Sequence, residues 1–205
     1  MRRLAAVTFA SLVSTACASP APTAKPPTAS AKSGIAAYLP LEDGTVFTFE
    51  THTDPSGERG ILVLEVRRPR PELAEFVVAG RAQRVTVSAT AVAHVTGGLL
   101  LREPLAPGEN WQGDFGHVRV TNVTKKVVVP AGSFEGCVET IEEMSTDAGT
   151  KRTTTAFCPG IGITLRETEA EQEGAHGIER IALKSYGKRF QSETPASGLS
   201  SSTSE

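Results

Sequence analysis

Between residues 45 and 186 the chain alternates polar and apolar positions with a period of two, and no long 3.6-residue stripe interrupts it. Residues 45–53 place Phe47 and Phe49 on one face and Thr48 and Glu50 on the other, as a half-buried strand does. A partner run carries Leu62, Leu64 and Val66 on one side. Between the two, Asp54-Pro55-Ser56-Gly57 has the composition of a type I turn, with Pro second and Gly fourth. Further strands are expected over residues 75–79, 84–89, 91–95, 99–102, 117–123, 125–129, 162–169 and 177–186, some of them divided at Ala79-Gly80, Gly97-Gly98 and Pro107-Gly108. Residues 71–75 offer one helical turn at most. Many short strands of this kind predict an all-β fold: an antiparallel curved sheet, built as a half-barrel, barrel or sandwich.

The stretch 127–164 carries a sharper prediction. A tight turn centred on Asp147-Ala148 pairs residues whose numbers sum to 295. Cys137 then faces Cys158, Val138 faces Phe157, Thr140 faces Thr155 and Glu143 faces Arg152. One register thus yields a cysteine pair, an apolar pair and an ion pair. A slip of one residue would send every side chain to the other face, although a longer loop using Gly149 would move the sum by one or two. The cysteines read as a cross-strand disulfide, with two buried free thiols as the alternative. Closing a loop of about 20 residues stabilises by roughly 3 kcal/mol in the chain-entropy model. The spacing is not that of a Cys-x-x-Cys dithiol.

A short repeat runs through the same region. Pro40-Leu41-Glu42-Asp43-Gly44-Thr45-Val46-Phe47 matches Pro104-Leu105-Ala106-Pro107-Gly108-Glu109-Asn110-Trp111 as Pro-Leu-x-x-Gly-x-x-aromatic. Each copy reads as a turn that drops an aromatic into a core strand. Phe47 and Trp111 become equivalent anchors of two similar β-halves.

The N-terminus speaks of destination. Met1-Arg2-Arg3, a mostly apolar run over residues 4–13 and the small residues Ser14-Thr15-Ala16 make residues 1–16 a signal peptide. The apolar run is shorter than the roughly 20 residues a transmembrane helix needs. Val13-Ser14-Thr15-Ala16-Cys17 resembles a bacterial lipobox, in which Cys17 is acylated and becomes the first mature residue; Ser14 stands where Leu is usual, with Leu12 two places earlier. Cleavage after Ala18 is the alternative and would give a secreted protein. Either route leaves Cys137 and Cys158 as an even pair in an oxidising compartment. Residues 17–34, poor in large apolar side chains, read as a lipidated N-terminus and disordered tether. Residues 35–187 form a single β domain, and residues 188–205 read as a disordered tail. Of the 21 Lys and Arg, losing Arg2 and Arg3 leaves 19 against 23 acidic residues, a net charge of −4. No basic stripe interleaves with aromatics, so nucleic acid is not an expected partner.

Taken together, the two Pro-Leu-x-x-Gly-x-x-aromatic copies, Val129-Pro130-Ala131-Gly132-Ser133-Phe134-x-x-Cys137 and Pro159-Gly160-Ile161-Gly162 resemble a family of bacterial envelope lipoproteins labelled TapB-like, a domain of unknown function. The likeness covers residues 38–186. Ser133 and Ile161 replace the family's usual Thr and Val, and Cys158 its usual Ala. The resemblance implies a β-rich lipoprotein facing periplasm or cell surface, and brings no catalytic residues. Physically, Pro130 ends a strand, Gly132 turns the chain and Phe134 re-enters the core, while Pro159, Gly160 and Gly162 make the matching turn.

No catalytic residue, metal ligand or cofactor site is predicted. His52, His94, His117 and His176 are scattered without zinc-site spacing and read as surface or turn residues. Gly132-Ser133-Phe134-Glu135-Gly136 is not Gly-x-Ser-x-Gly, and Glu142 and Glu143, neighbours on a strand, point to opposite faces. Glu167, Glu169, Glu171 and Glu173 alternate on one face, opposite Arg180 and Lys184. Their oxygens suit calcium, but the Asp-rich spacing of a calcium loop is missing. The stripe reads as a solvated, charge-protected sheet edge. The expected function is a non-catalytic binding module for an apolar ligand or an envelope protein, held to the membrane by a lipid anchor on Cys17. A structural or assembly lipoprotein acting through protein contacts is the alternative.

Overall fold

The computed structural model describes residues 34–189 except 148 and 173. The signal peptide, Cys17, nearly all of the tether, most of the tail, turn residue Ala148 and Glu173 lie outside the described residues. What is described falls within one compact unit, Ala31–Glu205.

A four-residue helix, α1 (Ile35–Tyr38), precedes twelve strands. They are β1 (Thr45–Asp54), β2 (Glu58–Arg70), β3 (Leu73–Val78), β4 (Arg81–Val87), β5 (Ala91–His94) and β6 (Leu99–Arg102), then β7 (Asn110–Gln112), β8 (His117–Val129), β9 (Gly132–Thr146), β10 (Gly149–Cys158), β11 (Gly162–Gln172) and β12 (Ala175–Lys188). All belong to one antiparallel sheet in the order β6-β5-β4-β3-β2-β1-β12-β11-β10-β9-β8-β7. Each half of the chain is therefore a six-stranded meander, and the β1–β12 ladder, from Thr45↔Lys188 to Asp54↔Ile178, joins them. The two ends meet where the Trp111 indole N–H on β7 donates to Leu99 O on β6 at 3.0 Å. The sheet is a nearly closed barrel, all-β as expected.

Hairpin register follows the arithmetic of the sequence. β9 and β10 pair from Thr146↔Gly149 to Val138↔Phe157, every pair summing to 295. Cys137 and Cys158 are joined by a disulfide, with Cα atoms 4.2 Å apart. Arg152 Nε lies 3.5 Å from Glu143 Oε1. The internal repeat is also structural. Gly44 N–H donates to Val66 O on β2 and Gly108 N–H to Val120 O on β8, both at 2.9 Å. The next residue in each copy, Thr45 or Glu109, donates back to Glu42 O or Ala106 O. Both glycines hold φ in the left-handed region, +70° and +91°, where a Cβ is strained.

Several local expectations change. Residues 71–75 form no helical turn, because Leu73 already pairs with Arg70 and Thr86. The Asp54–Gly57 turn closes from Gly57 N–H to Thr53 O at 2.8 Å, one residue wider than a type I turn from Asp54. β8 is one strand in which three register shifts between Val120 and Val127 absorb the expected break at residue 124. β11 is no edge. It pairs with β10 on one side and β12 on the other, so the carboxylates of Glu167, Glu169 and Glu171 sit within the sheet rather than at its border. Glu167 faces Arg180 in register, while Lys184 turns to Glu50 at 2.8 Å. The sheet's own borders are β6 and β7.

Two apolar clusters fill the unit. One gathers Val66, Phe76, Val85, Leu101, Trp111, Val138 and Phe157 with Ile35, Leu39 and Leu41 from the N-terminal segment. The other gathers Phe49, Val127, Val129, Cys137, Ala156, Cys158 and Leu183. Neighbours Cys137 and Val138, and Phe157 and Cys158, fall in different clusters. This stretch of the hairpin is therefore covered on both faces, as successive strand residues point opposite ways.

Candidate binding cavity

The motif residues prove to be fasteners. Pro130 and Ala131 form the two-residue loop between Val129 and Gly132, and Ala131 N–H donates to Leu183 O at 2.9 Å. Half-buried Phe134 packs in the disulfide cluster. At the other end of the hairpin Cys158 pairs with Gly162 across Pro159-Gly160-Ile161. Gly160 N–H donates to Ala37 O at 2.7 Å, and a Cβ on Gly162 would stand 3.5 Å from Leu39 Cδ1. This turn thus grips α1, a role invisible in the motif itself. Phe47 stacks 6.2 Å from Phe49 and 6.5 Å from Tyr186. Trp111 is buried. Among the described residues of the predicted motifs, Cys137 and Cys158 are covalently joined.

A cavity of about 290 Å³ opens within the barrel. Register explains its walls. On β9, β10 and β11, Glu142, Thr153 and Thr168 make one cross-strand row, and Thr140, Thr155 and Arg166 the next. Thr153 and Thr168 share a hydroxyl–hydroxyl bond of 3.0 Å. Below these polar rows come Val138 and Phe157, paired in register. The facing wall includes Leu64, Phe76, Leu99 and Leu100. One side of the cavity is hydroxyl-rich and charged, and the other is mostly apolar, with Gln83 and His94 also lining the space.

One group belongs to the barrel's seam. Glu142 Oε1 accepts the backbone N–H groups of Phe115 (2.9 Å) and Gly116 (3.1 Å). That clamps the loop between β7 and β8 and presents Asp114, whose Oδ2 lies 3.0 Å from His94 Nε2. Contrary to the surface role read from the sequence, His94 is only 8% exposed. A carboxylate only accepts, so Nε2 is the donor; His94 Nδ1 is buried without a partner among the described residues. Gly98 lets this happen. A Cβ there would stand 2.8 Å from the Asp114 backbone. Sequence reading missed His94, Asp114, Glu142 and Arg166 as neighbours because each comes from a different strand or loop. Among the described residues no group of three or more His, Cys, Asp or Glu is placed to hold a metal ion.

Neither protein-family models nor curated proteins give a match to the chain. Among solved structures it is similar to a Bacteroides fragilis protein classed as exported, with a YmcC-like fold: 18% identity, 74% of this chain and 99% of that one, TM-score 0.47. It is also similar to a Parabacteroides distasonis protein classed as a lipoprotein: 12% identity, 73% and 98% of the two chains, TM-score 0.40. Neither bears the TapB-like name, and likeness of this degree brings no function with it.

Proposed function

We propose that this chain is an exported bacterial envelope lipoprotein whose barrel is a non-catalytic binding module for a small ligand. Export and anchoring rest on the sequence: a basic start, a ten-residue mostly apolar run and a lipobox-like ending at Cys17. Binding rests on the cavity. Interiors of folded proteins are close-packed, and a space of about 290 Å³ approaches the size of small-molecule sites. The apolar wall agrees with the apolar ligand expected from the sequence. The threonine rows and charged groups add that such a ligand carries a polar end.

Native mass spectrometry of the protein, released gently from its own membrane, tests both parts. A diacylglyceryl-modified Cys17 and a small-molecule adduct are expected, with the adduct lost on filling the cavity by Thr155→Leu while the circular dichroism spectrum is kept. An unmodified N-terminus sinks the anchor, and a bare barrel sinks the module.

A second reading, assembly through protein contacts, is favoured by a groove of about 570 Å³ bordered by Ile61, Val128, Val129, Pro130 and Ala182. Ile61 and Val128 are exposed there. An envelope protein that co-purifies with the wild type but not with Ile61→Asp would favour it over the ligand.

A further inference from the structure

Resting on the binding-module reading, we infer that the cavity takes a monoanionic amphiphile, a carboxylate on a hydrocarbon body of medium length, with its carboxylate on Arg166. The polar groups around the cavity divide into satisfied and unsatisfied. Asp114 is engaged by His94, and Glu142 by two backbone N–H groups. Half-buried Arg166, which lines the same cavity, makes no side-chain hydrogen bond or ion pair among the described residues. A guanidinium keeps its charge in a protein, and a half-buried one with no protein partner has its donors free for an anion. Its planar fork matches a carboxylate bidentately. Thr140 and Thr155, next to it in the same register row, offer hydroxyls to the same head group.

The charge of the ligand is bounded from both sides. An amine would meet Arg166, and the carboxylates that could attract it are already engaged, Asp114 by His94 and Glu142 by two backbone N–H groups. Asp114 and Glu142 line the same cavity and repel any anion, so a dianionic phosphate would meet about twice the repulsion that a carboxylate does. Size follows from volume. The space of about 290 Å³ lies at the small end of ligand sites, which suits a short hydrocarbon body, and octanoate serves as its probe. Leu64, Phe76, Leu99 and Phe157 receive its chain.

Isothermal titration calorimetry of the full chain carrying Cys17→Ser, free of acyl groups and detergent, would compare octanoate, 1-octanol and octylamine. Octanoate is expected to bind at least tenfold more tightly than the other two. Arg166→Gln should abolish that preference while leaving the weak affinity for 1-octanol and the melting temperature unchanged. Arg166→Lys, which keeps the charge and loses the fork, should fall between. Equal binding of octanoate and 1-octanol, tighter binding of octylamine, or a preference that survives Arg166→Gln overturns the head-group assignment and leaves the binding module standing. Should none of the three bind, the assignment falls, and the native mass spectrum decides the module separately. The ligand series on the unaltered cavity separates these outcomes even if the Arg166 variants fail to fold.

Discussion

Ala79 holds φ at +48° beside Gly80 at +77°, in the two-residue loop that joins Val78 to Arg81. Two positive φ values are what the right-handed twist of a hairpin asks of such a loop. An alanine Cβ opposes the first of them by about 1–2 kcal/mol. Ala79→Gly or Ala79→Asn is therefore expected to stabilise the barrel by about 1 kcal/mol, raising the melting temperature by roughly 2–4 °C; a calorimetric scan that shows a fall would refute this. The residue scale is also where the sequence is least legible. Ala79-Gly80 announces a turn, but Ala93-His94-Val95 does not announce a buried histidine. Its burial is decided by Asp114, far along the chain, arriving across the seam. Arg166, flanked by Leu165 and Glu167, looks like any strand position until Thr140 and Thr155 are set beside it.

At the scale of elements, the β9–β10 hairpin is readable to the residue because one register satisfies three independent pairings at once. Its disulfide closes a separation of 21 residues. Replacing both cysteines, Cys137→Ala with Cys158→Ala, is expected to cost about 2–5 kcal/mol. Urea denaturation would report this as a lower midpoint with a steeper slope, since the uncrosslinked denatured chain exposes more surface. An unchanged midpoint would mean that the surrounding cluster of Phe49, Val127, Val129 and Leu183 holds the hairpin unaided. The carboxylates of β11 mislead for the opposite reason. Alternating charge reveals a face, whereas edge or interior status depends on which strands arrive on either side, here β10 and β12. Likewise Pro71 suggests a helical start, but Leu73–Val78 finds ladders on both flanks. α1 has no periodicity of its own to read; Ile35 and Leu39, both buried, are ordered by the barrel they enter.

For the whole molecule, closure is uneven. Between β1 and β12 a ten-pair ladder seals the wall, while between β6 and β7 side chains make the closure: Trp111 to Leu99 O and His94 to Asp114. Stability is not uniform across a fold, and segments with few partners open first. Backbone amides of β6 and β7 should exchange hydrogen well before those of β1 and β12, measured by mass spectrometry on peptides from each. Equal protection would mean that the seam is as firmly closed as the ladder. The repeat signals two halves in the sequence, and the paired Gly44 and Gly108 bonds bear that out. Which strands meet at the ends is beyond a local pattern.

Thr45 opens the first strand, and its partner is Lys188 at the end of the last. A chain made from its N-terminus holds β1 unpaired on that side until the final strand emerges. Anything that stops short of Ala175 leaves two raw borders, β1 and β11, open to pairing with other chains. Completion of the last strand is thus what buries the first: without it the barrel keeps edges that the finished fold pairs away.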